Sequence, residues 1–217
     1  MGAIISFSSF REQLTQRLKQ TLPGAMAHQA MEARVAKYLG VLPDESTRKS
    51  AVLLLLYPCG DKIYFPLILR RNYTGYHSGE VSFPGGKYEL TDKNLVTTAL
   101  REANEEIGSV AKDVQVLGTL TEIYISPSNF TVLPVVGYMP YRPTFVPDTR
   151  EVGQIFEVHF SHFSNADHWG ISEINIPGDK VLTPYYDLQG HRVWGATAKI
   201  INELLFVVSS IKTDIKI

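Results

Sequence analysis

The chain has 217 residues, 44% of them hydrophobic and 20% charged, the proportions of a globular protein able to bury a substantial core. Its 21 basic and 22 acidic residues leave a net charge of −1, which argues against a dedicated nucleic-acid binder but not against a local basic patch for an anionic ligand. Cys59 is the only cysteine, so an intramolecular disulfide and a cysteine-rich metal site are both excluded.

Near the N-terminus, Gly2 and Ser6 of "MGAIIS" match a loose acylation pattern, a match that chance also produces. No signal-peptide pattern and no apolar run of membrane-spanning length is found, so a cytoplasmic protein is expected. "SFREQLTQRLKQTL" places Phe7, Phe10, Leu14 and Leu18 at helical spacing, and "LPG" stops it. A second helix is expected over "AMAHQAMEARVAKYL". The period then changes: "AVLLLLY", the turn "PCGD" and "KIYFPLILR" predict a hairpin of strands buried on one or both faces. A polar loop, "RNYTGYHSGEV", leads to "FPGGK" and to a helix from Asn94 to Ile107. "VQVLGTLTEIYI" and "FTVLPVVGYMP" are strand-like, and "YRPTFVPDTREVG" is a Pro-rich loop. "QIFEVHF", "ISEINIP", "VLTPYYDL" and "HRVWG" add shorter strands. "ATAKIINELLFVVSSI" closes the chain with a helix that offers Ile200, Ile201, Leu204, Leu205 and Val207 to the core. The pattern is that of one α/β domain with an N-terminal helical extension.

The helix after "FPGGK" carries the chemistry. On a wheel of 100° per residue, Val96, Ala99, Leu100, Ala103 and Ile107 share a core-facing arc. Glu102, Glu105 and Glu106 fall in the adjoining arc, off the core face, where like charges at these spacings repel. Paired glycines just upstream let a backbone carbonyl come close. Carboxylates converging with that carbonyl form an oxygen-rich site suited to Mg²⁺ or Mn²⁺, which would offset the repulsion.

These residues resemble the Nudix box, G-x5-E-x7-R-E-U-x-E-E-x-G-U with U apolar. Gly86, Arg101, Glu102, Ala103, Glu105, Glu106 and Gly108 match it in order. Asp92 stands where the pattern has Glu, eight residues rather than seven lead on to Arg101, and Ser109 takes the last apolar position. The Asp and the inserted residue are similar to the coenzyme A pyrophosphatase branch. So are "LILRRNYTGYHSGEVSFPGG", with Leu67, Arg71, Gly79, Val81, Phe83 and Pro84-Gly85-Gly86, and the C-terminal "VWGATAKII". Asn72 replaces that branch's small residue, the loop is one residue shorter, and Tyr76 or His77 stands near its Arg.

The resemblance implies a Nudix-type α/β/α sandwich with a mixed sheet, residues 1–50 forming a helical extension packed on a domain of residues 51–217. It also implies metal-dependent hydrolysis of a nucleoside diphosphate linked to another group. In this branch coenzyme A gives 3′-phosphoadenosine 5′-phosphate and 4′-phosphopantetheine. Glu102 and Glu106, with the carbonyl of Gly85 or Gly86, would hold the metal, and Glu105 would share it or bridge a second ion. Glu102 or Glu105 would accept the proton of the attacking water, with Glu151 in "DTREVG" as the alternative. Arg101, four residues before Glu105, would orient it.

Arg70, Arg71, His77 and Lys87 are candidates for holding substrate phosphates. Arg70 and Arg71 adjoin at a strand end and point oppositely, so one of them faces the site. Tyr73 and Tyr76 are candidates to stack on adenine. Cys59 and the remaining histidines show no catalytic or metal-ligand spacing. The expected partner is a small-molecule nucleotide, with no nucleic acid and no membrane, and a homodimer is left open. The competing readings are a pyrophosphatase for ADP-ribose, a dinucleotide or an oxidised nucleotide, and a sensor that binds a nucleotide without cleaving it.

Overall fold

The computed structural model describes residues 7–32, 41–71, 77–109, 111–176 and 179–211. Gly2, Ser6, Tyr73 and Tyr76 lie outside them. Strand β1 (Arg48–Cys59) runs through the centre of a mixed sheet, and its register explains the run of four leucines. Leu53, Leu55 and Tyr57 point to one face and Leu54 and Leu56 to the other, all fully buried. A strand covered on both sides needs no polar alternation.

On one edge β1 pairs in parallel with β7 (Phe130–Tyr138), Arg48 opposite Phe130 through Leu56 opposite Tyr138. On its other edge the partner changes along its length. Ser50–Val52 pair antiparallel with β4 (Gly85–Lys87), whereas Tyr57–Cys59 pair with β2 (Lys62–Arg70) across the Gly60-Asp61 turn. Between the two, the Leu53 N–H donates to the Pro84 carbonyl at 2.8 Å. The Pro-Gly-Gly turn therefore sits where the sheet divides. β3 (Val81–Ser82) and β8 (Val152–His159) flank β2, and β5 (Gln115–Thr119) and β6 (Ile123–Ile125) both pair with β7. Sequence periodicity reads β5 and β6 as one strand. Leu120–Glu122 separate them, the Leu120 N–H bonding the Pro134 carbonyl.

Helices α1 (Phe7–Arg17) and α5 (Gly195–Ser209) cover one face. Phe10, Leu14, Ile200, Ile201, Leu204 and Val207 pack with Leu54, Leu56, Phe65 and Val136. Helix α3 (Leu95–Ile107) covers the other, its Ala99 and Ala103 packing on Ala51, Leu53, Leu55 and Val135. The second predicted helix is not continuous. It makes one short helix, α2 (Ala25–His28), and a 3₁₀ turn to Met31, and Glu32 is already extended. A buried carboxylate ties this segment down: Glu203 of α5, fully buried, accepts from the Gly24 N–H (3.1 Å) and the Thr121 hydroxyl (2.6 Å) and meets His28 Nε2 at 3.0 Å. Leu205, expected in the core, is only partly buried. After α4 (Phe160–Ser164), strands β9 (Trp169–Ile176), β10 (Asp179–Leu188) and β11 (His191–Val193) form a separate antiparallel sheet. Among the described residues, no helix is long and apolar enough to cross a membrane.

Candidate active site

Helix α3 is set firmly at both ends. Asn94 caps it, its side chain accepting from the Thr97 N–H at 2.9 Å. Gly108 ends it at φ 66°, the left-handed conformation that a helix terminus gives to glycine. The last turn's carbonyls are taken by the following loop, Glu106 accepting from the Asp148 N–H (2.9 Å) and Ile107 from the Val146 N–H (3.0 Å). The loop that carries Glu151 is thereby docked on the acidic end of α3.

The three glutamates occupy different environments. Glu105 is half exposed, and Glu102 retains 15% of its side-chain exposure. Glu106 is 2% exposed, which corrects the reading that all three acids lie off the core face. The wheel predicts the neighbours of the helix but not the β4 turn that closes over Glu106. There Glu106 Oε2 accepts from the Gly85 N–H at 2.8 Å, and Oε1 meets Arg70 Nη1 at 3.2 Å. Glu102 lies against Gly86, whose missing side chain leaves the space the carboxylate fills. Both glycines thus serve the acids directly, one by a donor and one by a cradle.

Arg101 organises the outer side. It bonds Glu102 at 3.0 Å and Glu105 at 3.2 Å, but its forked contact is with Asp92, Nε to Oδ1 at 3.0 Å and Nη2 to Oδ2 at 2.9 Å. It also donates to the Lys87 carbonyl. Asp92 is buried and further held by the Thr98 hydroxyl and the Glu89 N–H. The Arg101 guanidinium keeps the Asp92 carboxyl well below the usual carboxylate range. The pairing of Asp92 with Arg101 escapes sequence reasoning. The signal was the box position itself, where the pattern has an acid and Asp92 supplies one, with one extra residue before Arg101.

Burial pushes the Glu106 carboxyl up to about 7, against the pull of Arg70 and the Gly85 N–H, and the charges of Glu102 and Glu151 add to the rise. Glu102 is raised too, by burial first, then by Glu105 and Glu151, with Arg101 opposing. Glu151, exposed on its loop, is therefore within electrostatic reach of both. A carboxyl raised on folding stabilises the protein below its unfolded value and loses that contribution as pH climbs through the folded one. In chelator, the protein should lose stability between about pH 4.5 and 7, by up to about 3 kcal/mol, and Glu106→Gln should flatten that slope. Denaturant titrations across this window check it. Parallel slopes for the two proteins would remove Glu106 as the cause.

Of the expected phosphate-holding cations, Arg70 is engaged with Glu106. Arg71 is exposed, and its N–H donates to the Glu151 carbonyl at 2.9 Å, which sets it beside that acid. Lys87 is exposed at the end of β4. His77, at φ 66°, bonds Glu80 at 2.8 Å and Ser128, just before β7, at 3.3 Å. Among the described residues, no three acidic, histidine or cysteine side chains converge as a ready-made ligand set. The donors still suit a hard divalent cation: buried Glu106 and partly buried Glu102 are both raised, border a glycine turn, and would both be relieved by an added positive charge.

The chain matches the NUDIX domain model over residues 47–170, more than half its length. It is 35% identical over 160 residues to the uncharacterized Nudix hydrolase NudL of Photorhabdus laumondii, covering 74% of this chain and 84% of that protein. The namesake in Yersinia pestis (strain Pestoides F) is 34% identical over 166 residues, covering 76% and 82%. In fold it is similar to the Nudix hydrolase RenU of M. smegmatis, with a TM-score of 0.54 at 20% identity over 76% of this chain and 88% of that one. Nudix hydrolases act on small-molecule nucleotides and generally use divalent metal ions. The mixed sheet between helical layers agrees with that family's fold, and this chain is a Nudix pyrophosphohydrolase.

Proposed function

We propose that the chain hydrolyses coenzyme A at its diphosphate, giving adenosine 3′,5′-bisphosphate and 4′-phosphopantetheine, with Mg²⁺ or Mn²⁺. The supporting observation is spatial. The two stretches that resemble the coenzyme A branch, "GEVSFPGG" and "VWGATAKII", are far apart in sequence, yet β3 of the first lies against β11, which opens the second. Val81, Phe83 and Val193 are all buried there, so the resemblance extends to a packed unit beside the acids.

A divalent cation held by Glu102, Glu106 and the carbonyl of Gly85 or Gly86, with Glu105 sharing it, would neutralise the charge that shields the diphosphate from water. The proton of the attacking water would pass to a carboxylate not saturated by the metal; Glu105 and Glu151 are exposed, Glu102 is partly buried, and Glu106 is buried. Arg101 positions Glu102 and Glu105 rather than touching substrate, since Asp92 and the Lys87 carbonyl take up the rest of its donors. Arg71, whose N–H bonds the Glu151 carbonyl, and Lys87, whose carbonyl accepts from Arg101, are both exposed and would be the cations for the diphosphate and the 3′-phosphate.

Side-by-side kinetics on coenzyme A, its dephospho form and ADP-ribose test the substrate. Removing the 3′-phosphate should lower kcat/KM by about 10- to 100-fold, the value of one charge-assisted contact. Arg71→Ala should narrow that gap. Equal or better rates on the two smaller diphosphates would reject coenzyme A in favour of a general diphosphatase, and nucleotide binding without any product would favour a sensor.

A further inference from the structure

Arg70 stands where a substrate-binding cation was expected, but it is spent on a buried acid. Its guanidinium meets Glu106 Oε1 at 3.2 Å, with side-chain exposures of 23% and 2%. The backbone is built to aim it there. Ile68, two residues earlier on the same face of β2, packs with Ile107 of α3 and Val152 of β8, so Arg70 continues that face toward the last turn of α3. The β2–β8 register then shifts between Leu69, opposite Gln154, and Arg70, opposite Val152, leaving Gly153 as the extra residue. Such a bulge bends the ladder locally and re-aims a side chain. The Arg70 N–H is fixed by the Glu80 carbonyl at 3.0 Å, which anchors the start of the side chain.

We infer that Arg70 is an internal counter-ion that competes with the divalent cation for Glu106 and thereby weakens the metal affinity of the site. The inference rests on the proposed metal use of Glu106. A positive charge already in contact with one carboxylate oxygen repels a second cation arriving at the same group, and Oε2 is taken by the Gly85 N–H. The guanidinium must turn away or share the carboxylate as the metal binds. Turned away from Glu106, its charge would be offered to a phosphate group in addition to those of Arg71 and Lys87. Coupling of this kind would make Arg70 a positioning residue whose availability to substrate depends on metal, so that metal and nucleotide load together.

Calorimetric titration of the full chain with Mn²⁺ alone, at pH 8 to limit proton competition at Glu106, tests it. Arg70→Gln should bind Mn²⁺ about 10-fold or more tightly than wild type, by the charge–charge effect that moves a neighbouring carboxyl's pKa by a unit or more. Arg70→Lys, which keeps the charge, should bind it as wild type does. Arg192→Gln, an equal change of net charge on β11, should leave the affinity unchanged. A purely structural ion pair predicts the opposite sign: loss of Arg70 loosens the site and weakens Mn²⁺ binding. Equal or weaker binding by folded Arg70→Gln overturns the inference while Mn²⁺ binding by wild type leaves the proposed metal use standing. Undetectable binding by both proteins refutes both. If Arg70→Gln does not fold, Arg70→Met, which retains the packing of the stem, is read by the same criterion against Arg70→Lys.

Discussion

Glu106→Gln should lower turnover by about 10²- to 10³-fold, the scale of losing one strong electrostatic contributor at a reacting centre. The substitution retains the shape of the side chain and an oxygen for the Gly85 N–H, which now holds Glu106 at 2.8 Å. It removes the negative charge that Arg70 answers and that the proposed divalent cation would answer. The amide also turns a donor toward the Arg70 guanidinium, which offsets part of the stability gained above pH 7 by removing a buried charge. Rates measured at saturating Mg²⁺ or Mn²⁺, with circular dichroism to verify folding, separate these effects. Wild-type turnover by a folded Glu106→Gln protein would mean that the acidic helix is not the catalytic one. Glu105→Gln, half exposed and bonded only at its edge by Arg101, should retain more activity than Glu106→Gln.

The difference between these two acids marks the limit of what a sequence discloses. The helix itself is legible: Asn94 caps it, Gly108 ends it, and the alanines at 99 and 103 predict close packing on a sheet. Chemistry within one helix is legible as well, because residues three and four apart must meet. Arg101 does reach Glu105. Apart from the hairpin marked by "PCGD", what escapes is contact between segments distant in the chain. Burial of Glu106 depends on the Gly85 turn, which closes over it only because β4 pairs with Ser50–Val52 while β2 takes over at Tyr57. Arg70 meets Glu106 beside a register shift at Gly153, far along the chain and without any local signature besides a glycine. Glu203, in a helix whose apolar spacing marks it as core, is buried because Gly24, His28 and Thr121 supply donors from two distant loops. Polar residues on core faces are where single-helix periodicity fails, since their partners are tertiary.

The two adjacent glycines of the turn should respond to the same substitution in opposite ways. At Gly85 the backbone sits at φ 153°, and a β-carbon would enter the Ala51 carbonyl and the Val52 backbone of the neighbouring strand. Neither atom belongs to a side chain that can rotate aside. Gly85→Ala must therefore push β4 away from β1, losing the strand pairing and the Gly85 N–H to Glu106 together. The expected cost is about 3 kcal/mol or more, at the upper end of overpacking losses, with activity falling because the protein unfolds. At Gly86 the β-carbon would instead enter the Glu102 carboxylate, the far end of a side chain with several rotatable bonds. Glu102 can swing out, so Gly86→Ala should cost less than Gly85→Ala in denaturant unfolding while moving one acid off the site. Turnover should drop about 10²-fold in a protein that remains folded, again the scale of one displaced electrostatic group. Unfolding midpoints and rates for both variants decide it. A folded, active Gly86→Ala protein would show that Glu102 works from a position other than the cradle it fills, and a stable Gly85→Ala protein would contradict the strand register at the turn.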